Sequence, residues 1–432
     1  MRMRTVRYSP PWQLIPVLSA GLVTAVLTTT WVTVPPDRAA PAPPAVVTHR
    51  AAAAPDTAAD RAVQLEALLG QHSVLAADLM RSRIRGDDDF VQAATAALGR
   101  NTDAMTDLVR RLFGDAAANA FAPQWSEHIV QLVAYAAALG DHDGAARSGA
   151  RDRLVTFEGG LADFFAGASK GRLRPADARA AVAMHVQHLT SQADAYAAGD
   201  YAKADRINRE GYEHTYDMGL ALADALLPAA DRAALRAPVW RLRSQLGKLL
   251  AEHAVLVEDV TRAAVTNTPD FDAAAKMINA NTEALGAAMD TLFGPAAARQ
   301  FQTLWASHVE QLVAYSAGAA AKDTARQEAA KAALRGFEGQ MAKFLGTATS
   351  GRMSGADLTK ALTAHDGMLL RHADAYAARD YPAAHDVAYL TYEHMFQVAQ
   401  ALADAFGATV AARLPQGGAQ TGYGGLATAA GR

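Results

Sequence analysis

The sequence predicts an all-α protein: two tandem duplicated antiparallel helical-bundle domains behind an N-terminal signal or anchor segment. Three observations carry that prediction. First, the chain matches itself. "LFG" at Leu112–Gly114 returns at Leu292–Gly294, and "HIVQLVAY" at His128–Tyr135 returns as "HVEQLVAY" at His308–Tyr315. "ADAYAAGDY" at Ala193–Tyr201 returns as "ADAYAARDY" at Ala373–Tyr381, and "YEH" at Tyr212–His214 returns at Tyr392–His394. The offset is 180 from Asn101 onward and 181 earlier, where "LLGQHSVL" matches "LLAEHAVL". A unit that long is a duplicated bundle rather than a solenoid repeat. Second, apolar residues recur at helical spacing, as in Trp125, Ile129, Leu132, Val133 and Tyr135. Third, no sustained period-two run is bounded by turn signals.

Within the first unit the turn residues fall at Gly86–Asp89, Phe113–Asp115, Gly140–Gly144, Lys170–Pro175 and Gly199–Asp200. They divide it into six helices, 60–86, 89–111, 116–140, 145–169, 175–198 and 201–227. Short loops between long helices imply antiparallel neighbours. The expected organisation is 1–34 signal peptide or membrane anchor, 35–57 Pro/Ala-rich linker, 58–230 first bundle, 238–412 second bundle and 413–432 disordered tail.

The N-terminal assignment rests on Arg2, Arg4 and Arg7 preceding an apolar run from Leu14 to Val34. A positive flank before such a run is an export pattern, and its length is that of a spanning helix. Small residues between Ala40 and Ala45 leave both a cleaved signal and an uncleaved anchor open. The expected location is therefore secreted, or anchored on the outer face of the cytoplasmic membrane.

Composition excludes several classes. Lys plus Arg total 41 against 44 Asp plus Glu, a net charge of −3, so no basic excess points to nucleic acid. With no cysteine there are no disulfides, thiolate zinc sites, cysteine nucleophiles or lipid-bearing cysteine. No Gly-rich phosphate loop, Ser–His–Asp order or H-E-x-x-H is present, so no catalytic motif identifies an enzyme.

The histidines supply the functional lead. Of 13, eight form pairs between the two units: His72 with His253, His128 with His308, His185 with His365, and His214 with His394. In an antiparallel bundle, residues equally far from a connecting turn lie at one level, because each residue rises about 1.5 Å. By that count His72, Asn101, His128, Glu158, His185 and His214 share one depth. His253, Asn281, His308, Glu338, His365 and His394 share the other. Imidazoles supplied by several helices at one level build metal sites in bundles. The four His of each unit are the expected ligands, with Asn101, Glu158, Asn281 and Glu338 as further ligands or orienting groups. Copper or zinc is favoured and iron remains open. The role would be storage, buffering or delivery. Two alternatives stay open: a metal-free exported interaction or scaffold module, and a non-covalent bis-His haem binder. The protein partner is not specified; the membrane is a partner if the N-terminal segment is uncleaved.

The LFG turn, the W-x-x-H-[IV]-x-x-[LF]-V-x-Y helix, the DAY…DY turn and the Y-x-H-M form of Tyr392–Met395 resemble a family of exported bacterial all-helical tandem-repeat proteins. Some members carry copper-amine-oxidase-like labels through an attached domain. The resemblance covers about 60 to 410 and implies export and an all-α fold, but no reaction. Nothing here resembles an amine-oxidase catalytic core. In the first unit the last motif reads Tyr212–Thr215, without the Met.

Overall fold

A computed structural model describes residues 57–413; the expected signal or anchor segment, most of the linker and the tail lie outside the described residues. Among the described residues every regular element is helical and no strand occurs. The first six helices are α1 (Ala58–Arg85), α2 (Asp88–Phe113), α3 (Asp115–Gly140), α4 (Gly144–Ala168), α5 (Pro175–Ala197) and α6 (Tyr201–Leu226). A short α7 (Ala229–Arg232) and a 3₁₀ turn (Ala234–Arg236) lead into the second six. These are α8 (Pro238–Thr266), α9 (Phe271–Phe293), α10 (Pro295–Ala321), α11 (Thr324–Ala348), α12 (Gly355–Ala378) and α13 (Tyr381–Arg413).

Local chemistry sets the boundaries. Thr57 and Asp60 form a reciprocal capping box at the start of α1. Asp87, Asp143, Asp200, Asp323 and Ser354 each accept a backbone N–H in the first turn of the helix that follows. Gly114 and Gly294, the glycines of the two LFG turns, both have φ +85. An L side chain at that angle is strained, and the angle lets one helix end and the next begin without a spacer.

In each half one helix is central. α1 packs on α2, α3, α5 and α6, and α8 packs on α9, α10, α12 and α13. The halves touch through α1 with α8, α2 with α13, and α6 with α9. Polar contacts run along this seam. Tyr392 donates to the Ala67 carbonyl and Tyr212 to that of Lys248, each at 2.9 Å, while Arg209 pairs with Glu252 at 2.8 Å. Helices α1 and α6 approach so closely that a Cβ on Gly219 would lie 2.6 Å from the Cα of Glu66. No described helix is long and apolar enough to cross a membrane.

Candidate metal centres

The central position of α1 decides which histidines meet. Its His72 faces His128 on α3 and His185 on α5, with ring centroids 5.0 and 5.4 Å away. One ring nitrogen from each of the three lies within 4.8 Å of the others. His253 on α8, His308 on α10 and His365 on α12 form the same group in the second half. All six side chains are 0–2% exposed. The surroundings also repeat. Phe157 stacks on His128 at 4.3 Å and Phe337 on His308 at 4.4 Å, both at 9°. Trp125 and Trp305 each lie 4.5 Å from the central histidine.

Burial keeps these imidazoles neutral. It pushes His128 down to about 3 and His308 to about 4, and holds His72, His185, His253 and His365 well below the ordinary histidine value. Neutral imidazole is the form that binds metal.

Hydrogen-bond partners assign the tautomers. His128 Nδ1 donates to the Trp125 carbonyl, and His308 Nδ1 to the Trp305 carbonyl at 2.6 Å. A carbonyl only accepts, so Nδ1 carries the hydrogen and Nε2 offers a lone pair. That arrangement orients a histidine for a metal. Trp305 Nε1 donates to His253 Nδ1 at 3.2 Å, so the hydrogen of neutral His253 sits on Nε2. In the first half His72 Nε2 lies 3.1 Å from His128 Nε2, and His72 is the donor of that pair. His185 and His365 have no protein partner at either nitrogen. A buried polar atom without a partner calls for an explanation, such as water or an ion.

The other sequence candidates fall elsewhere. His214 Nε2 lies 2.9 Å from the Ala181 carbonyl and His394 Nε2 3.1 Å from that of Ala361, and neither joins the groups of three. Asn101 donates to the Leu68 carbonyl and to Gln71 Oε1, both at 3.0 Å, tying α2 to α1. Asn281 donates to the Leu249 carbonyl and to Glu252 Oε2, tying α9 to α8. Glu158 is buried with Oε1 unpartnered, and desolvation raises its pKa. Glu338 accepts from Thr363 Oγ1. Neither glutamate is among the grouped ligands.

Sequence reasoning passed over a second polar region. A cavity of about 100 Å³ opens between α1, α6, α8, α12 and α13. Asp78 and Arg81 on one side and Asp259 and Arg262 on the other line it, positions 181 apart. His372, His385 and Glu258 complete it, and burial raises Glu258 to about 8. The repeated V-L-x-x-D-x-x-R of Val74–Arg81 and Val255–Arg262 was the available signal.

Fold and site together define a class, an all-helical bundle with buried histidine triads that could hold a metal. Compared with family models, curated proteins and solved structures, the chain matches none.

Proposed function

We propose that the chain is an extracytoplasmic metal-binding protein holding one transition-metal ion in each histidine triad, for storage, buffering or delivery. The observation that carries this reading is the pair of triads. Two sets of three neutral, solvent-free imidazoles stand within 4.8 Å, and His185 and His365 have both nitrogens unpartnered. Buried polar atoms ordinarily find a partner in protein, water or an ion. The ligand set is three histidines per half, with His214 and His394 bonded to backbone instead. Haem fits less well, because Trp125 and Phe157 already lie against the rings where a macrocycle would need room. The export half of the reading rests on the charged and apolar pattern of residues 1–34.

Elemental analysis of the full chain, purified without an affinity metal and then offered copper, zinc and iron separately, tests the binding. Two tightly held ions per chain are expected, with a rise in melting temperature, since a ligand bound only to the folded state stabilises it. Absence of both would leave a helical scaffold.

A further inference from the structure

We infer that the triads select a monovalent soft cation, cuprous copper, over zinc and other divalent ions. This rests on the metal-binding reading above and names the ion for the same sites.

The first argument is charge. Each triad holds three neutral imidazoles and no carboxylate. The rings are 0–2% exposed and closed in by Phe157 and Trp125, or by Phe337 and Trp305. The cost of moving an ion out of water grows as the square of its charge. A monovalent ion therefore costs about a quarter of what a divalent ion of similar size would. A divalent ion in such a place usually has anionic ligands beside it. The acid next in sequence to a triad member, Asp366, is 1% exposed and is not among the grouped ligand atoms. The first half has Val186 at that position.

The second argument is coordination number. Structural zinc takes four ligands, and catalytic zinc takes three plus water. The triads offer three at most, away from solvent. The tautomers lower that number further. His308 presents a free lone pair at Nε2, His128 one that accepts the His72 Nε2 hydrogen at 3.1 Å, and His185 and His365 have both nitrogens unengaged. His253, by contrast, accepts the Trp305 N–H at Nδ1 and carries its own hydrogen at Nε2. It becomes a third ligand through Nε2 only when that hydrogen moves to Nδ1 and the indole bond breaks. The second triad thus has two donors ready and a third on rearrangement, and in the first His128 is freed when the His72 hydrogen moves to Nδ1; either way the site is two- or three-coordinate, which a closed-shell monovalent ion accepts and zinc does not.

The spacing leaves room for such an ion once the 3.1 Å hydrogen bond between His72 Nε2 and His128 Nε2 opens. A planar three-coordinate ion needs nitrogens about 3.5 Å apart, inside the 4.8 Å limit that all three satisfy.

The test is an anaerobic titration of the full chain with Cu(I) against a cuprous chelator. Ag(I) serves as the redox-inert stand-in, Zn(II) is titrated separately, and tryptophan emission is followed throughout. The expected result is two Cu(I) or Ag(I) per chain, at least 100-fold tighter than Zn(II), with a change in tryptophan emission. The variant His365→Gln should bind one ion with unchanged circular dichroism. A single His185→Gln variant should do the same and guards against a misfolded first variant. Zn(II) binding as tight as Cu(I) would overturn the monovalent inference and leave the metal sites standing. No binding of any of the three ions would overturn the metal reading beneath it.

Discussion

Replacing His185 by leucine separates a ligand from a packing residue, because the two roles give opposite signs. In the metal-free protein the imidazole is 2% exposed and neither nitrogen has a protein partner. Each orphaned polar group costs about 1–3 kcal/mol. Leucine has a similar volume, and a volume-conserving swap costs less than about 1.5 kcal/mol. The balance is a gain of roughly 2 kcal/mol. With an unfolding entropy near 2.1 cal/mol/K per residue over about 350 residues, that raises the melting temperature by about 3 °C. The measurement is thermal and urea denaturation of chelator-treated His185→Leu beside the parent chain, repeated with cuprous ion present. Metal-free protein should be stabilised, and the metal-dependent rise should fall by about half, since the second triad is intact. Destabilisation of the metal-free variant by more than about 1 kcal/mol would refute the reasoning. It would mean that the ring is held by partners of its own and that the layer serves the fold.

Three further outcomes follow from the same structure. Glu258, raised to about 8 by burial against an ordinary 4.5, keeps a proton in the folded state that the unfolded chain releases above pH 4.5. Its contribution is therefore full at pH 4 and lost as pH rises through 8, so the Glu258→Gln variant should gain on the parent in melting temperature between pH 5 and pH 8; a constant difference would contradict the assignment. Gly219→Ala should lose about 1–3 kcal/mol in urea denaturation, because the new methyl meets α1 backbone at 2.6 Å, whereas Gly99→Ala, exposed and with nothing within 4 Å, should gain up to about 1 kcal/mol. Asn101→Ala should lower stability by about 1–3 kcal/mol while metal stoichiometry stays at its parent value; loss of an ion would restore Asn101 as a ligand.

The helices were legible because their signals are local. Capping aspartates and turn glycines sit where the chain reverses, and the six expected helices of the first half agree with α1–α6 to within two residues at each end. The depth argument was also sound as far as it reached, since His72, His128 and His185 do meet. It failed to separate His214 and Asn101 from them because depth along a helix leaves rotation about its axis open. That rotation depends on which helix is central, and the seam between the halves contributes to it. α1 is surrounded on four sides within its own half, so α2 and α6 stand beside it while α3 and α5 complete the triad. Asn101 then faces the α1 backbone at Leu68, and His214 faces the α5 backbone at Ala181. The cavity at the seam was hidden for a related reason. Asp78 and Arg81 give no sign in the sequence that α8 brings Asp259 to within 3.9 Å of Arg81 and sets Arg262 across the same cavity.

The repetition of the unsatisfied atoms bears on function more than their presence in one place. Either half could accumulate an accidental buried histidine, since a single one costs only a few kcal/mol. Here the same three positions recur with the same Phe stacked on the second ring. The second ring's Nδ1 is bonded to the same Trp carbonyl, and both nitrogens of the third ring are left open, in each half. Around the third ring the adjacent positions have meanwhile diverged: Val186 stands opposite Asp366, and Gln192 opposite His372. Leucine would fill the third position at lower cost in either half. A chain that holds a destabilising side chain at corresponding places in both halves carries a burden that packing does not repay. An ion held by one nitrogen from each of the three rings would offset it, and the His185→Leu measurement asks whether that burden exists.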